Sequence, residues 1–245
     1  MLKPLALIGL VLFSVSLNAQ VSPERDRARP HVRSAWESMR TEAWAEAAKA
    51  FQQAIDVDRE FEDAYYGLGL ANMRMKKYVE AIQAYLKCRD LYQAMAGKQF
   101  SNRQDAQRYR QDRMTEIDEV MRQLQSGPQS MTTQERIRQL QEQRRQIQEY
   151  AQRSQGLTTG QSVPAFVYLA LGSAYFRTQQ FPDAEREYKA AIAVDPKSGE
   201  AFNNLAVVYL QTGRAKEAED AVKSAEKAGF KVNPQLKADI KAKLG

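Results

Sequence analysis

Apolar residues fall three and four apart along most of this chain, and in four places the pattern comes in pairs of helices. In the clearest copy Tyr168, Leu171 and Tyr175 share one helix face, with the small Gly172 beside them. A polar break follows at Gln179-Gln180-Phe181-Pro182-Asp183, and then Ala184, Tyr188 and Ala191 form the matching face of a second helix. The same grammar returns 34 residues later, where Leu205, Tyr209, Ala218 and Ala225 meet Leu171, Tyr175, Ala184 and Ala191. Upstream it reads Leu68, Gly69, Tyr78, Ala81, Tyr85 and Cys88, and one period earlier Ala35, Trp44, Ala47, Phe51 and Ala54. Each unit predicts a helix hairpin with an apolar side that it cannot bury alone. Such units must stack, and the fold class is all-α, a helical solenoid.

The run Tyr168-x2-Leu171-Gly172-x2-Tyr175, with Ala184, Tyr188 and Pro196, resembles the tetratricopeptide repeat. Phe202, Leu205, Ala206, Tyr209 and Ala218 carry the likeness in the next copy, which has Phe230 in place of the closing proline. Tyr65, Leu68, Gly69, Ala81 and Tyr85 carry it in the second, which has Asn72 at a tyrosine position. The first copy keeps Ala35, Ala47 and Phe51 but departs at His31 and Ser34. The copies occupy residues 28–95 and 165–230. After them Asn233-Pro234 opens a helix whose Leu236, Ile240 and Leu244 predict a cap on the last repeat, at 231–245. Ahead of the array, 20–27 is a polar segment in which Ser22-Pro23-Glu24 starts a short helix, broken before Pro30.

Residues 96–164 interrupt the array with a Gln- and Arg-rich stretch. Capping boxes at Ser101/Gln104 and Thr132/Glu135 open two helices. Met114, Ile117, Met121 and Leu124 make one apolar seam, and Ile137, Leu140, Ile147 and Ala151 the other, with Arg144 on the second. Ser126-Gly127-Pro128 turns between them, and 156–164 returns the chain to the repeats. A long antiparallel hairpin results. Two readings of it stay open: a hairpin that pairs with itself and extends the solenoid, or a coiled-coil arm that joins protomers or grips a partner.

The leader changes the setting. Lys3 followed by the apolar run Leu5–Leu17 and by Ser16-Leu17-Asn18-Ala19 reads as a secretory signal peptide, 1–19, cut near Ala19. The run is short of the ~20 apolar residues that a membrane span requires, so no span remains after cleavage. The expected location is periplasmic or secreted. A net charge of +6, on 36 basic and 30 acidic residues, is no nucleic-acid signature. One cysteine, Cys88, makes no internal disulfide, and packing alone must hold the fold. Cys88 sits at a small-residue position and reads as a buried packing thiol. With His31 as the only histidine, no zinc site of the usual kind is expected, and no nucleophile, phosphate loop or dinucleotide fingerprint appears. The expectation is therefore no enzyme, no cofactor and no metal.

Binding is the remaining job. The resemblance implies that the first helix of each hairpin lines a concave face. Its free positions are Trp36, Tyr66, Leu70, Met73, Phe166, Leu169, Ser173, Phe176, Asn203, Val207 and Leu210. Some members of the family hold a terminal carboxylate with Lys, Arg and Asn at such positions. Here only Arg29, Arg33, Asn203 and Asn204 offer that chemistry, around an apolar middle. The groove suits apolar or aromatic side chains of a protein or peptide, or the chain's own hairpin. Two functions remain: a cell-envelope scaffold that binds a partner in this groove, or an assembly protein that self-associates through the hairpin.

Overall fold

The computed structural model describes residues 23–96, 98–100, 102–126, 131–153 and 162–244. The expected leader at 1–19 and the hairpin's turn at 127–128 lie outside these residues. So do Ser101, most of the return at 156–164 and the side chains of Thr132, Glu135 and Ala151. Eleven helices and no strand occur among the described residues. Four antiparallel pairs form the array: α1 (Pro23–Arg40) with α2 (Trp44–Val57), α3 (Glu62–Arg74) with α4 (Tyr78–Ala96), α7 (Ala165–Arg177) with α8 (Phe181–Val194), and α9 (Gly199–Gln211) with α10 (Ala215–Lys227). The inserted hairpin is α5 (Arg103–Gln125) with α6 (Met131–Arg153), and α11 (Pro234–Leu244) ends the chain. Helix α4 packs directly on α7, so the solenoid runs on as though the hairpin were absent.

Every pair turns in the same way. One residue after the first helix takes a left-handed conformation: Glu42 (φ 60°), Lys76 (61°), Gln179 (59°) and Gly213 (77°). The next amide then reaches back five residues to close the helix end. Ala43 donates to Ser38 at 2.9 Å, Lys77 to Asn72 at 2.9 Å, Gln180 to Tyr175 at 2.9 Å and Arg214 to Tyr209 at 2.8 Å. These bonds satisfy carbonyls that the helix leaves free. They also hold three side-chain-bearing residues where the left-handed form costs roughly 1 kcal/mol or more.

Glycines set the helix spacing. A Cβ at Gly67 would lie 2.1 Å from the buried Phe51 ring, at Gly69 2.3 Å from Tyr85, and at Gly172 2.6 Å from Tyr188. Each ring fills the space that the missing side chain leaves. Phe51 is fully buried and cannot move aside. Gly67→Ala is therefore expected to lower stability by about 1–3 kcal/mol, the usual range for overpacking. Urea denaturation measures it.

Two expectations at the ends of the array change. Helix α1 runs unbroken through Pro30, which is exposed, so the amide it lacks leaves a carbonyl facing water. Packing of Ala28, Val32 and Ala35 on the opposite face holds both halves in line. The polar segment at 23–27 is thus the first turn of a repeat helix. At the other end α11 covers the last repeat through buried Ile240 and half-buried Leu236, whereas Leu244 is exposed. Asn233 caps this helix by accepting the Gln235 amide at 2.9 Å.

Candidate inner-face binding site

The hairpin does not extend the solenoid. It folds back over the first helices of the repeats: α5 lies along α1, and α6 places its side chains on α1, α3 and α7. Its own seam is apolar where expected, with Ile117, Met121 and Leu124 buried with Leu140 and Ile147, and Met114 and Ile137 half-buried. Arg144 is accommodated by pairing across the hairpin with Asp118 at 3.3 Å. Helix α5 begins one residue later than the expected capping box requires. Asn102 is the cap, its Oδ1 accepting the Asp105 amide at 2.8 Å.

The buried stripe of each helix also carries polar residues. Arg110, Arg113, Thr133, Arg136 and Gln143 are all buried, at the same three-four spacing as the apolar residues. Arg113 pairs with Glu62 of α3 at 2.6 Å and with Glu116 at 2.5 Å. Arg25 of α1 reaches Asp58 at 2.5 Å and Glu62 at 3.1 Å, and its guanidinium lies 4.1 Å from the centre of the Phe61 ring. Burial pushes the Glu62 carboxyl up, but Arg113 and Arg25 outweigh it and hold the group below its usual range. Arg29 pairs with Glu116 at 3.0 Å and Arg33 with Glu119. Both arginines at the carboxylate-binding positions are thus paired with α5.

Helix α6 brings Arg136 to the same face. Its guanidinium pairs with Asp63 and lies 4.5 Å from the centre of the Tyr66 ring, 5.1 Å from Phe166 and 5.2 Å from Trp36. Gln139 accepts a hydrogen bond from the Tyr66 hydroxyl at 3.0 Å, and Gln143 donates to the Tyr92 hydroxyl at 2.9 Å. Burial raises both phenols well above their ordinary range, so both stay protonated, the Tyr66 hydroxyl donating and the Tyr92 oxygen accepting.

The residues expected to line the groove therefore divide. Trp36, Tyr66 and Phe166 are buried beneath α6. Leu70, Met73, Leu169, Ser173, Phe176, Asn203, Val207 and Leu210 are half-buried. Of these, Phe176 leans on Phe181 at 5.7 Å between ring centres, and the Ser173 hydroxyl lies 3.2 Å from that of Tyr188, whose pKa burial pushes up to about 12. The Asn203 side-chain amide donates a long hydrogen bond, 3.4 Å, to Asn204. Between α6 and the starts of α7 and α9 a cleft of about 410 Å³ opens, with Phe166, Leu169 and Phe230 as its apolar floor and Arg138, Arg145 and Lys197 on its rim. Nothing in the repeat pattern singles out Arg136, Gln139 and Gln143 as groove residues, although the three-four spacing of the seam places Arg136 and Gln143 on its buried stripe.

Cys88 is fully buried, and burial drives its thiol pKa well up, which suppresses the reactive thiolate. Among the described residues no three His, Cys, Asp or Glu side chains gather as metal ligands, and no helix is long and apolar enough to cross a membrane.

Stacked antiparallel helix pairs at a 34-residue period define a helical-repeat solenoid with a self-covered inner face. The chain belongs to the tetratricopeptide repeat family: that family's sequence profile matches residues 32–96 and 169–230, just over half of its length. The unmatched interval between them contains the hairpin. Among solved structures, the chain is similar to PilW, a widely conserved type IV pilus biogenesis factor, at 16% identity over 89% of this chain and 86% of that one, with a TM-score of 0.42. It is also similar to YrrB, a tetratricopeptide repeat protein with an unusual peptide-binding site, at 17% identity over 89% and 92%, TM-score 0.31. The TPR2AB-domain:pHSP90 complex of yeast Sti1 gives 12% identity over 90% and 99%, TM-score 0.31. No curated protein matches the sequence.

Proposed function

We propose that this protein is a non-enzymatic scaffold of the cell envelope that binds a protein or peptide partner along the inner face of its repeats. One observation carries the reading: the face of α7 and α9 keeps Leu169, Phe176, Val207 and Leu210 half-exposed beside Ser173 and Asn203, next to an open cleft. Apolar walls with a few oriented polar groups suit an extended peptide. In this reading Asn203 hydrogen-bonds the partner's backbone while Phe176 and Val207 take its side chains. The envelope setting rests on the leader at 1–19. Mass spectrometry of the native protein is expected to find a mature N-terminus near Gln20, and an intact Met1 in cytoplasmic material would remove that part of the reading.

The alternative, assembly through the hairpin, draws less support, because the hairpin's buried side chains meet partners within one chain. Phe176→Asp and Asn203→Ala are each expected to weaken capture of crosslinked envelope partners several-fold while leaving the melting temperature nearly unchanged. A large fall in melting temperature for both variants would assign these residues to the core instead.

A further inference from the structure

The inner face of the first three repeats has a specific chemistry of its own, apart from the open face of α7 and α9. Trp36, Tyr66 and Phe166 come from three different helices, α1, α3 and α7, and converge on one cation. Tyr66 and Phe166 stand edge to face at 4.8 Å, which fixes both rings. Asp63 closes the cage, and the Trp36 indole N–H donates to its other oxygen at 3.3 Å, so the carboxylate is oriented from behind. The repeats supply every wall of this cage. The hairpin supplies only the occupant, Arg136.

We propose that this cage is an arginine-recognition site for a helical partner segment, occupied in this structure by the chain's own α6. The form of the occupant defines the partner. It is a helix that presents an arginine and, three residues on, a side chain that accepts a hydrogen bond, as Arg136 and Gln139 do. Planar guanidinium fits three aromatic faces and one carboxylate, whereas an ammonium is a strongly hydrated point charge that does not stack. Two features make α6 an occupant that can be displaced. Its hydrogen bonds and ion pair with the groove are made by Arg136, Gln139 and Gln143, groups that water rehydrates on leaving, and Leu140 is the apolar residue it sets beside Val32 and Phe61. The Arg136 Nε is also buried with no hydrogen-bond partner among the described residues, so the internal fit is incomplete. A tethered occupant lowers the apparent affinity for any competitor by the fraction of time it fills the site, and weakening it restores that affinity.

A fluorescent peptide of residues 131–153 tests the proposal by anisotropy, titrated with the full chain and with full-chain Arg136→Ala. The peptide is expected to bind the variant about tenfold or more tightly than the unmodified chain, by removal of the internal competitor. The gain is expected to vanish when the peptide carries Arg136→Ala, and when the variant chain also carries Asp63→Asn. Full-chain Arg136→Lys guards against misfolding of the alanine variant, checked by circular dichroism. It keeps the charge but loses the planar fork, and is expected to bind the peptide several-fold better than the unmodified chain. Equal affinity for peptides with and without the arginine, or no gain in either variant chain, would overturn the proposal and leave the cage as an anchor for the hairpin. Phe176→Asp is expected to leave this titration unchanged, so it fails or succeeds independently of partner capture at α7 and α9.

Discussion

Replacing Glu62 with glutamine is expected to lower stability by about 3–5 kcal/mol at pH 7, the range for breaking a buried ion pair from one side. Glu62 is 6% exposed and receives both Arg113 from α5 and Arg25 from α1, so its loss leaves two buried or half-buried cations short of a partner. The neutral amide keeps the size but not the charge. The effect depends on pH with a definite sign. Because the folded carboxyl is held below its ordinary value of 4.5, its contribution is complete above that value. The contribution is lost as the pH falls from there through the depressed folded value. The informative quantity is therefore the difference between wild type and Glu62→Gln, in which the acid response common to both chains cancels. That difference is expected to be constant from pH 7 to about 5 and to shrink below. Urea denaturation across the series measures it, and a difference that widens on acidification would contradict the assignment.

Leu171→Asp is expected to unfold the third and fourth repeats while the first two persist. Leu171 is fully buried in the core of the third repeat. Truncating such a leucine costs about 2–5 kcal/mol, and an unpaired carboxylate in the same place adds to it. Repeats contact only their neighbours, so damage in one unit spreads along the array by interfaces rather than everywhere at once. Helices α1 to α6 have their own ties, through the ion pairs of Arg25, Arg113 and Arg136. Limited proteolysis is therefore expected to cut within 165–244 well before 23–153. Uniform loss of protection along the chain would show that the hairpin does not bind the first two repeats into one unit.

Much of this architecture is legible in the sequence because it rests on local spacing. Leu171, Gly172, Tyr188 and their counterparts at the 34-residue offset announce the helix pairs, since a stacked repeat needs the same contact in every copy. The turns are harder to read. Glu42, Lys76 and Gln179 adopt a left-handed form that their side chains disfavour, and the closing hydrogen bonds that compensate appear only in three dimensions. Pro30 misleads for a related reason, because its penalty applies to a buried amide and here the site faces water. The hairpin's destination is the least legible feature. Arg113 and Arg136 meet Glu62 and Asp63, 51 and 73 residues away along the chain, and local spacing does not show those pairings. Arginine at a seam position carries no local sign of its partner.

The hairpin lies in the groove of its own chain, and a double-mutant cycle on Asp63 and Arg136 tests this most directly. Asp63→Asn, Arg136→Ala and the double variant are compared by urea denaturation at several protein concentrations. Residues in contact are expected to couple by about 0.5–3 kcal/mol, and the coupling is expected not to change with concentration. Additivity within about 0.5 kcal/mol, or a coupling that appears only at high concentration, would place the hairpin elsewhere.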